Sequence, residues 1–137
     1  MIGISTKTIY AVAAIYQLSE IEKDKVLKIK EIAAKASVPQ NFLEQILLEL
    51  RKVGILESVK GAYGGYKLAK DLNRVTLRDI VETLETDAFN SSCKTENMAL
   101  KLFWEDVSSE ITSVFDRPLS QLIDYRLKAS QALDFSI

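Results

Sequence analysis

A mainly α-helical chain with one small β-hairpin is what this sequence predicts, and three observations carry that expectation. Two segments with helical apolar spacing, residues 29–36 and 40–53, are separated only by Ser37, Val38 and Pro39. Directly after them, two short strand-like runs, 55–60 (ILESVK) and 66–69 (YKLA), flank the glycine-rich stretch 61–65 (GAYGG). Further on, Leu100, Trp104, Val107, Ile111 and Val114 recur at steps of 4, 3, 4 and 3, the apolar seam of a long helix of coiled-coil type.

The elements follow in order. Ser5 or Thr6 can cap a first helix that runs to about residue 20. Its stretch 9–18 (IYAVAAIYQL) is apolar except for Gln17. A membrane-spanning helix needs about 20 such residues, so the expectation is a central helix covered on nearly all sides. The charged stretch EIEKDK ends it. In 29–36 (IKEIAAKA), Ile29, Ile32, Ala33 and Ala36 share one face. Pro39 suits the first position of the next helix, where a missing N–H costs no hydrogen bond. That third helix turns Leu43, Ile46, Leu47 and Leu50 inward, and Gly54 stops it. Two short helices joined by a three- to four-residue turn make a helix-turn-helix, and a hairpin directly behind the second is a wing. Thr76 and Asp79 fit a capping box for a fourth helix, residues 77 to about 85. Residues 86–97 (TDAFNSSCKTEN) have no periodicity and read as a loop. A fifth helix starts near Met98 and must end before Pro118, and a last one, about 119–129, leads into a short tail. The organisation expected is a winged helix-turn-helix unit over 1–85, a loop over 86–97, and a dimerisation helix, last helix and C-terminal tail over 98–137.

Composition narrows the function. The 137 residues suffice for one domain around a single core. With no His and one Cys, the chain cannot supply a Ser-His-Asp or Cys-His constellation, a His-rich zinc site or a four-Cys zinc or iron–sulfur site. The expectation is a protein that is not an enzyme and carries no metal or other cofactor. The lone thiol and the lack of a secretory signal point to the cytoplasm. The net charge of −1 conceals a division: residues 1–75 carry 12 Lys+Arg against 8 Asp+Glu, and 76–137 carry 6 against 11. A basic front with an acidic back is the charge distribution of a duplex binder.

The outward residues at the start of the third helix are Gln40, Asn41, Glu44 and Gln45. Asn and Gln can pair bidentately with adenine, and Glu can accept from the cytosine amino group. Recognition helices present such groups from their first turns, although a plain solvated face is polar too. The wing favours DNA, because Lys60 sits beside a glycine-rich tip able to approach a sugar-phosphate backbone. The seam on the fifth helix either packs on its own core or meets a second copy. Phe103, Trp104 and Phe115 along a helix longer than the domain it leaves favour the copy. Twofold symmetry would set two recognition helices about one duplex turn apart, suited to a palindromic operator. Double-stranded DNA and a second copy of the chain are the expected partners, with no membrane.

The run NFLEQILLELRKVGILESVKGAYGGYKL, with ISTKTIYAV near the start, resembles the Rrf2 family of bacterial transcriptional regulators over most of residues 2–85. The resemblance implies a dimer of winged helix-turn-helix units crossed by a long helix. It implies base and backbone contacts from Asn41, Phe42, Glu44 and Gln45 in the helix and from Lys60, Gly61 and Tyr63 in the wing. Lys7, Ser37, Gln40 and Gly64 complete the expected DNA-facing set. The position of Lys60 is frequently Arg in relatives, and Lys does not reproduce a planar guanidinium in a narrow minor groove. Cluster-binding relatives carry three cysteines between the fourth and fifth helices, where this chain has only Cys93 after Ser91 and Ser92. Cys93 is then either a thiol sensor or an incidental loop residue. The resemblance is nearest to cluster-free repressors of cysteine metabolism. The ending Asp134, Phe135, Ser136, Ile137 resembles aromatic-then-isoleucine tails that enter the active site of cysteine synthase, presenting a terminal carboxylate with an apolar side chain. A frayed tail is the plain alternative. The function expected is a homodimeric DNA-binding regulator, a repressor, answering to cysteine or sulfur status through that partner. The alternatives are a redox or iron–sulfur-type sensor using Cys93, or a winged-helix module that binds protein.

Overall fold

Ser5 starts the first helix: its Oγ accepts the Thr8 amide at 3.2 Å, satisfying one of the orphan donors of the first turn. The computed structural model describes residues 4–89 and 94–135. It runs α1 (Thr6–Ser19), α2 (Ile29–Ala36), α3 (Gln40–Lys52), an antiparallel hairpin of β1 (Leu56–Val59) and β2 (Gly65–Leu68), a 3-10 turn at Leu72–Arg74, α4 (Leu77–Leu84), α5 (Met98–Val114) and α6 (Gln121–Phe135). The mainly helical class with a hairpin wing is the one observed. No helix among the described residues is long and apolar enough to cross a membrane.

α1 is the central element, packed against α2, α3, α4 and β2. Ala11 and Ala14 are fully buried with Ile15, and their small side chains let the neighbouring helices approach closely. Ile32 of α2, the stripe Leu43, Ile46, Leu47 and Leu50 of α3, Leu56 of β1 and Ile80 of α4 close the same core. Because that stripe is buried, the opposite side of α3 is held toward solvent. This is the packing fact that positions the site.

The turn between α2 and α3 is made by Ser37, which takes the left-handed conformation at φ 56°. Its amide and that of Val38 return to Ala34 and Ala33, closing α2, and Val38 plugs the core. Pro39 stands one place earlier than expected, at the N-cap, with Gln40 as the first helical residue. The hairpin pairs Leu56 with Leu68, Glu57 with Lys67, Ser58 with Tyr66 and Val59 with Gly65. Beyond the charged stretch that ends α1, the connection to α2 contributes a further rung. Leu27 and Tyr66 exchange backbone hydrogen bonds at 3.0 and 2.8 Å. A Cβ at Gly65 would run into the Leu27 carbonyl, so the close approach needs glycine there.

The largest corrections fall at the C-terminal end. Phe115, expected along the fifth helix with Phe103 and Trp104, instead caps α5 and is buried, edge-on to Phe89 with ring centroids 5.2 Å apart. The corner after it is pinned to the start of α4. The Leu77 and Arg78 amides donate to the carbonyls of Arg117 and Phe115, filling the donors that α4 leaves open. The Leu119 and Ser120 amides donate back to Val75 and Leu72, so the last helix begins at Gln121 rather than 119. It continues past 129 to Phe135, since no Pro or Gly interrupts 130–135. Asp134 and Phe135, expected in a tail, therefore have helical backbone. Ser136, Ile137 and Cys93 lie outside the described residues.

Candidate nucleic-acid interface

Burial of the α3 stripe leaves Gln40, Asn41, Phe42, Glu44 and Gln45 exposed together on its first two turns. No side chain caps α3 at its N-terminus, because Pro39 offers no acceptor there. Phe42 remains 54% exposed although its ring lies 5.8 Å from that of Tyr10 on α1. Ser37 is exposed in the turn just before.

The wing tip presents Lys60, Gly61 and Tyr63, all exposed, and Tyr63 keeps 95% of its surface in solvent. Gly61 sits at φ +106°, a conformation that L side chains rarely adopt. Gly64 is different. It is buried, its amide donates to the Gly61 carbonyl at 3.0 Å, and a Cβ there would run into the Val59 carbonyl. Its part is to close the turn that holds the other three. Lys67 behind the tip is paired with Glu57 across the strands at 3.2 Å, whereas no ion pair engages Lys60 among the described residues.

Lys7 is placed by a residue that the sequence reading missed. Its Nζ bonds both carboxylate oxygens of Glu49 on α3, at 3.0 and 3.3 Å. Gln45, one turn earlier, donates from Nε2 to the same carboxylate at 2.9 Å. Burial pushes the Glu49 carboxyl up, but the hydrogen bonds from Gln45 and Lys7, with the charges of Lys7 and Lys52, outweigh it and hold the group below its ordinary value. The four-residue spacing of Gln45 and Glu49 was the available signal for half of this network. The pairing with Lys7, 42 positions away, had none. At the far end of α3, Arg51 donates to Ser58 Oγ at 3.3 Å and ties the helix to β1.

α5 is the other unusual surface. None of its 17 residues is buried. Along the expected seam Leu100 is 49% exposed, Trp104 50%, Ile111 52% and Val114 62%, while Val107 is half-buried. Phe103 and Trp104 stack edge-on, with centroids 5.1 Å apart, on the solvent side.

The arrangement offers polar base-reading groups on a rigid helix and a cation beside a close-approaching turn. A cleft of about 670 Å³ lies elsewhere, between the end of α1, the base of the hairpin and the 3-10 turn, and none of its lining residues belongs to α3 or the wing tip. A metal centre finds no donor set: the chain has one Cys and no His, and no group of three ligand side chains occurs among the described residues.

Comparison with known proteins agrees with this geometry. The model of the Rrf2 family, described as an iron-dependent transcriptional regulator, matches residues 4–124. Among the described residues no group of ligand side chains fits such an iron site. A putative helix-turn-helix transcriptional regulator from Aquifex aeolicus is 40% identical over 73 residues, 53% of this chain and 50% of the relative, so the match spans about half of that protein's length. The regulator CymR of Bacillus subtilis is 29% identical over 136 residues, 98% of this chain and 99% of its own. Its solved structure, titled the global cysteine regulator, covers 91% of this chain and 98% of that one with a TM-score of 0.79. The T. potens IscR structure is 32% identical, covers 92% and 89%, and has a TM-score of 0.75. The winged-helix architecture, the exposed first turns of α3 and the match over residues 4–124 lead to one conclusion: the chain belongs to the Rrf2 family of DNA-binding transcriptional regulators, which are not enzymes.

Proposed function

We propose that the protein is a homodimeric repressor in the cytoplasm that lays α3 of each protomer into the major groove of a palindromic operator. The observation that carries this is the division of α3. Leu43, Ile46, Leu47 and Leu50 anchor it, while Asn41, Glu44 and Gln45 are exposed on the other side. In this reading those three meet base edges, and Ser37, Gln40 and Phe42 lie toward the backbone at the helix entry. Lys60, Gly61 and Tyr63 set the wing against the sugar-phosphate chain, Gly64 shapes that turn, and Lys7 stands beside them, tied to Glu49. Residues 1–85 form the duplex-binding unit, 86–97 link it to the rest, and Leu100, Trp104, Val107, Ile111 and Val114 of α5 meet their copies across the twofold axis. Titration with genomic duplex fragments at rising salt tests this: log affinity should fall against log salt with a slope of about −0.9 per phosphate neutralised. Replacing Lys60 by Ala should make the slope shallower by about one such step. A protein that retains no genomic fragment at low salt is not this repressor.

The signal assigned to it is cysteine or sulfur status, relayed by cysteine synthase bound to residues 134–137. The full-length match to CymR, titled the global cysteine regulator, supports that assignment. Removal of Ile137 should then abolish co-purification with cysteine synthase. Retention of the enzyme by the truncated protein, or no retention by the intact one, removes the proposal.

A further inference from the structure

The network on α3 contains a carboxylate to which the repressor reading gives no part in base reading. Glu49 lies four residues after Gln45, on a helix whose phase is fixed by the buried Ile46 and Leu50 on either side of it in sequence. A carboxylate only accepts hydrogen bonds, so the end of the Gln45 side chain that faces Glu49 at 2.9 Å must be its nitrogen. That leaves the amide oxygen and the second N–H as a donor–acceptor pair that no other side-chain hydrogen bond engages among the described residues. That pair complements the N6 amino group and N7 of adenine, and does not match the two acceptors that guanine shows in the same groove. From the other side, Lys7 bonds both Glu49 oxygens and holds the carboxylate in place. The same bond keeps the Lys7 ammonium occupied.

We propose that Glu49 is a positioning residue for base readout: it locks the Gln45 amide in the orientation that selects adenine and withholds Lys7 from the phosphates. The inference rests on α3 being the reading helix. It has a consequence that a structural role would not produce. Loss of the carboxylate removes a negative charge near DNA and frees a cation, so duplex affinity rises while sequence discrimination falls.

Selection from a pool of duplexes of randomised sequence tests it, with the full chain and the variants E49Q, E49A and Q45A, together with salt titrations on a single non-operator duplex. The wild type should enrich adenine at one position of each half-site. E49A, which leaves no acceptor for the Gln45 amide, should lose about tenfold of that preference, at the position that Q45A also relaxes and at no other, and E49Q, whose amide can accept or donate and so no longer fixes which end of Gln45 faces it, should lose part of it. On the non-operator duplex E49Q should bind more tightly, with a salt slope steeper by about 0.9 for the one phosphate gained by Lys7. E49A should behave alike there, so that a packing defect peculiar to one replacement does not decide the matter. The double variant K7A/E49Q should return the slope to its wild-type value without restoring the adenine preference. If E49Q and E49A select the same motif with the same strength as the wild type, the positioning role of Glu49 is wrong and α3 remains the reader. If the wild type enriches no motif at all, the reading of α3 itself fails.

Discussion

Ile46 and Trp104 are large apolar residues on regular helical stripes, yet Ile46 is 1% exposed and Trp104 50%. The stripes look alike in spacing and composition. What differs is what lies opposite. α3 faces α1 and α4 and buries all four of its inward residues, whereas α5 buries none of its 17. Burial of a Leu or Ile side chain contributes about 1.5–3 kcal/mol, so the α3 stripe stabilises a single protomer. In the proposed dimer the exposed apolar surface of α5 is the association surface, and stabilisation by association depends on concentration. On that proposal the two regions separate folding from assembly, and substitutions should act on one without the other.

The largest effect is expected in the body. Leu47→Ala, at a site with no exposure, should lower the unfolding free energy by about 2–5 kcal/mol in urea titrations. An unchanged midpoint would mean that α3 is not anchored as described. On the arm, Trp104→Ala should leave the helical circular dichroism of the protomer intact and raise the dimer dissociation constant about thirtyfold, the size of an ordinary interface hot spot. Sedimentation equilibrium checks it, and a wild type that stays monomeric at all concentrations would break the contrast between the helices. A smaller effect belongs to the α4 cap. Thr76 Oγ1 accepts the Asp79 amide at 3.1 Å, and Asp79 returns the bond to the Thr76 amide at 2.9 Å. Thr76→Ala should cost about 1 kcal/mol of protomer stability and leave the dimer constant unmoved.

The smallest effect is acid-dependent. The Glu49 carboxyl has its folded pKa depressed from 4.5, so its contribution is complete above that value and is lost as pH falls through the lower folded one. Partial exposure of Glu49 and Lys7 screens the pair, and the loss should be a few tenths of a kcal/mol. Wild type should therefore fall slightly faster than E49Q in thermal melts taken at successively lower pH beneath 4.5. Parallel curves for the two proteins would remove the charge network from the stability of the body.

Much of the body was legible because its signals are local. The spacing of Leu43, Ile46, Leu47 and Leu50, the Thr76–Asp79 capping box and the glycine-rich turn each depend on residues within a few positions of one another. The DNA-facing positions on α3 followed from the same periodicity, since the side opposite a buried stripe is exposed. The charged stretch 20–25 marks the end of α1 and carries no signal that Leu27, just beyond it, pairs with Tyr66 of the hairpin. Phe115 follows the apolar stripe and reads as a residue along the fifth helix, but its ring is buried against Phe89 across the corner.

The sequence by itself determined the helical phases, the wing and the family, because each is written in short-range spacing of apolar, capping and glycine residues. The tertiary structure alone decided which distant polar side chains meet. It brought Lys7 to Glu49 across 42 positions, and it set Arg126 of α6 on Tyr16 and Ser19 of α1, 110 and 107 positions away. The reason is physical: apolar periodicity specifies which side of a helix is buried, but a hydrogen bond between distant side chains depends on how two helices cross, and that is set by the packed core between them.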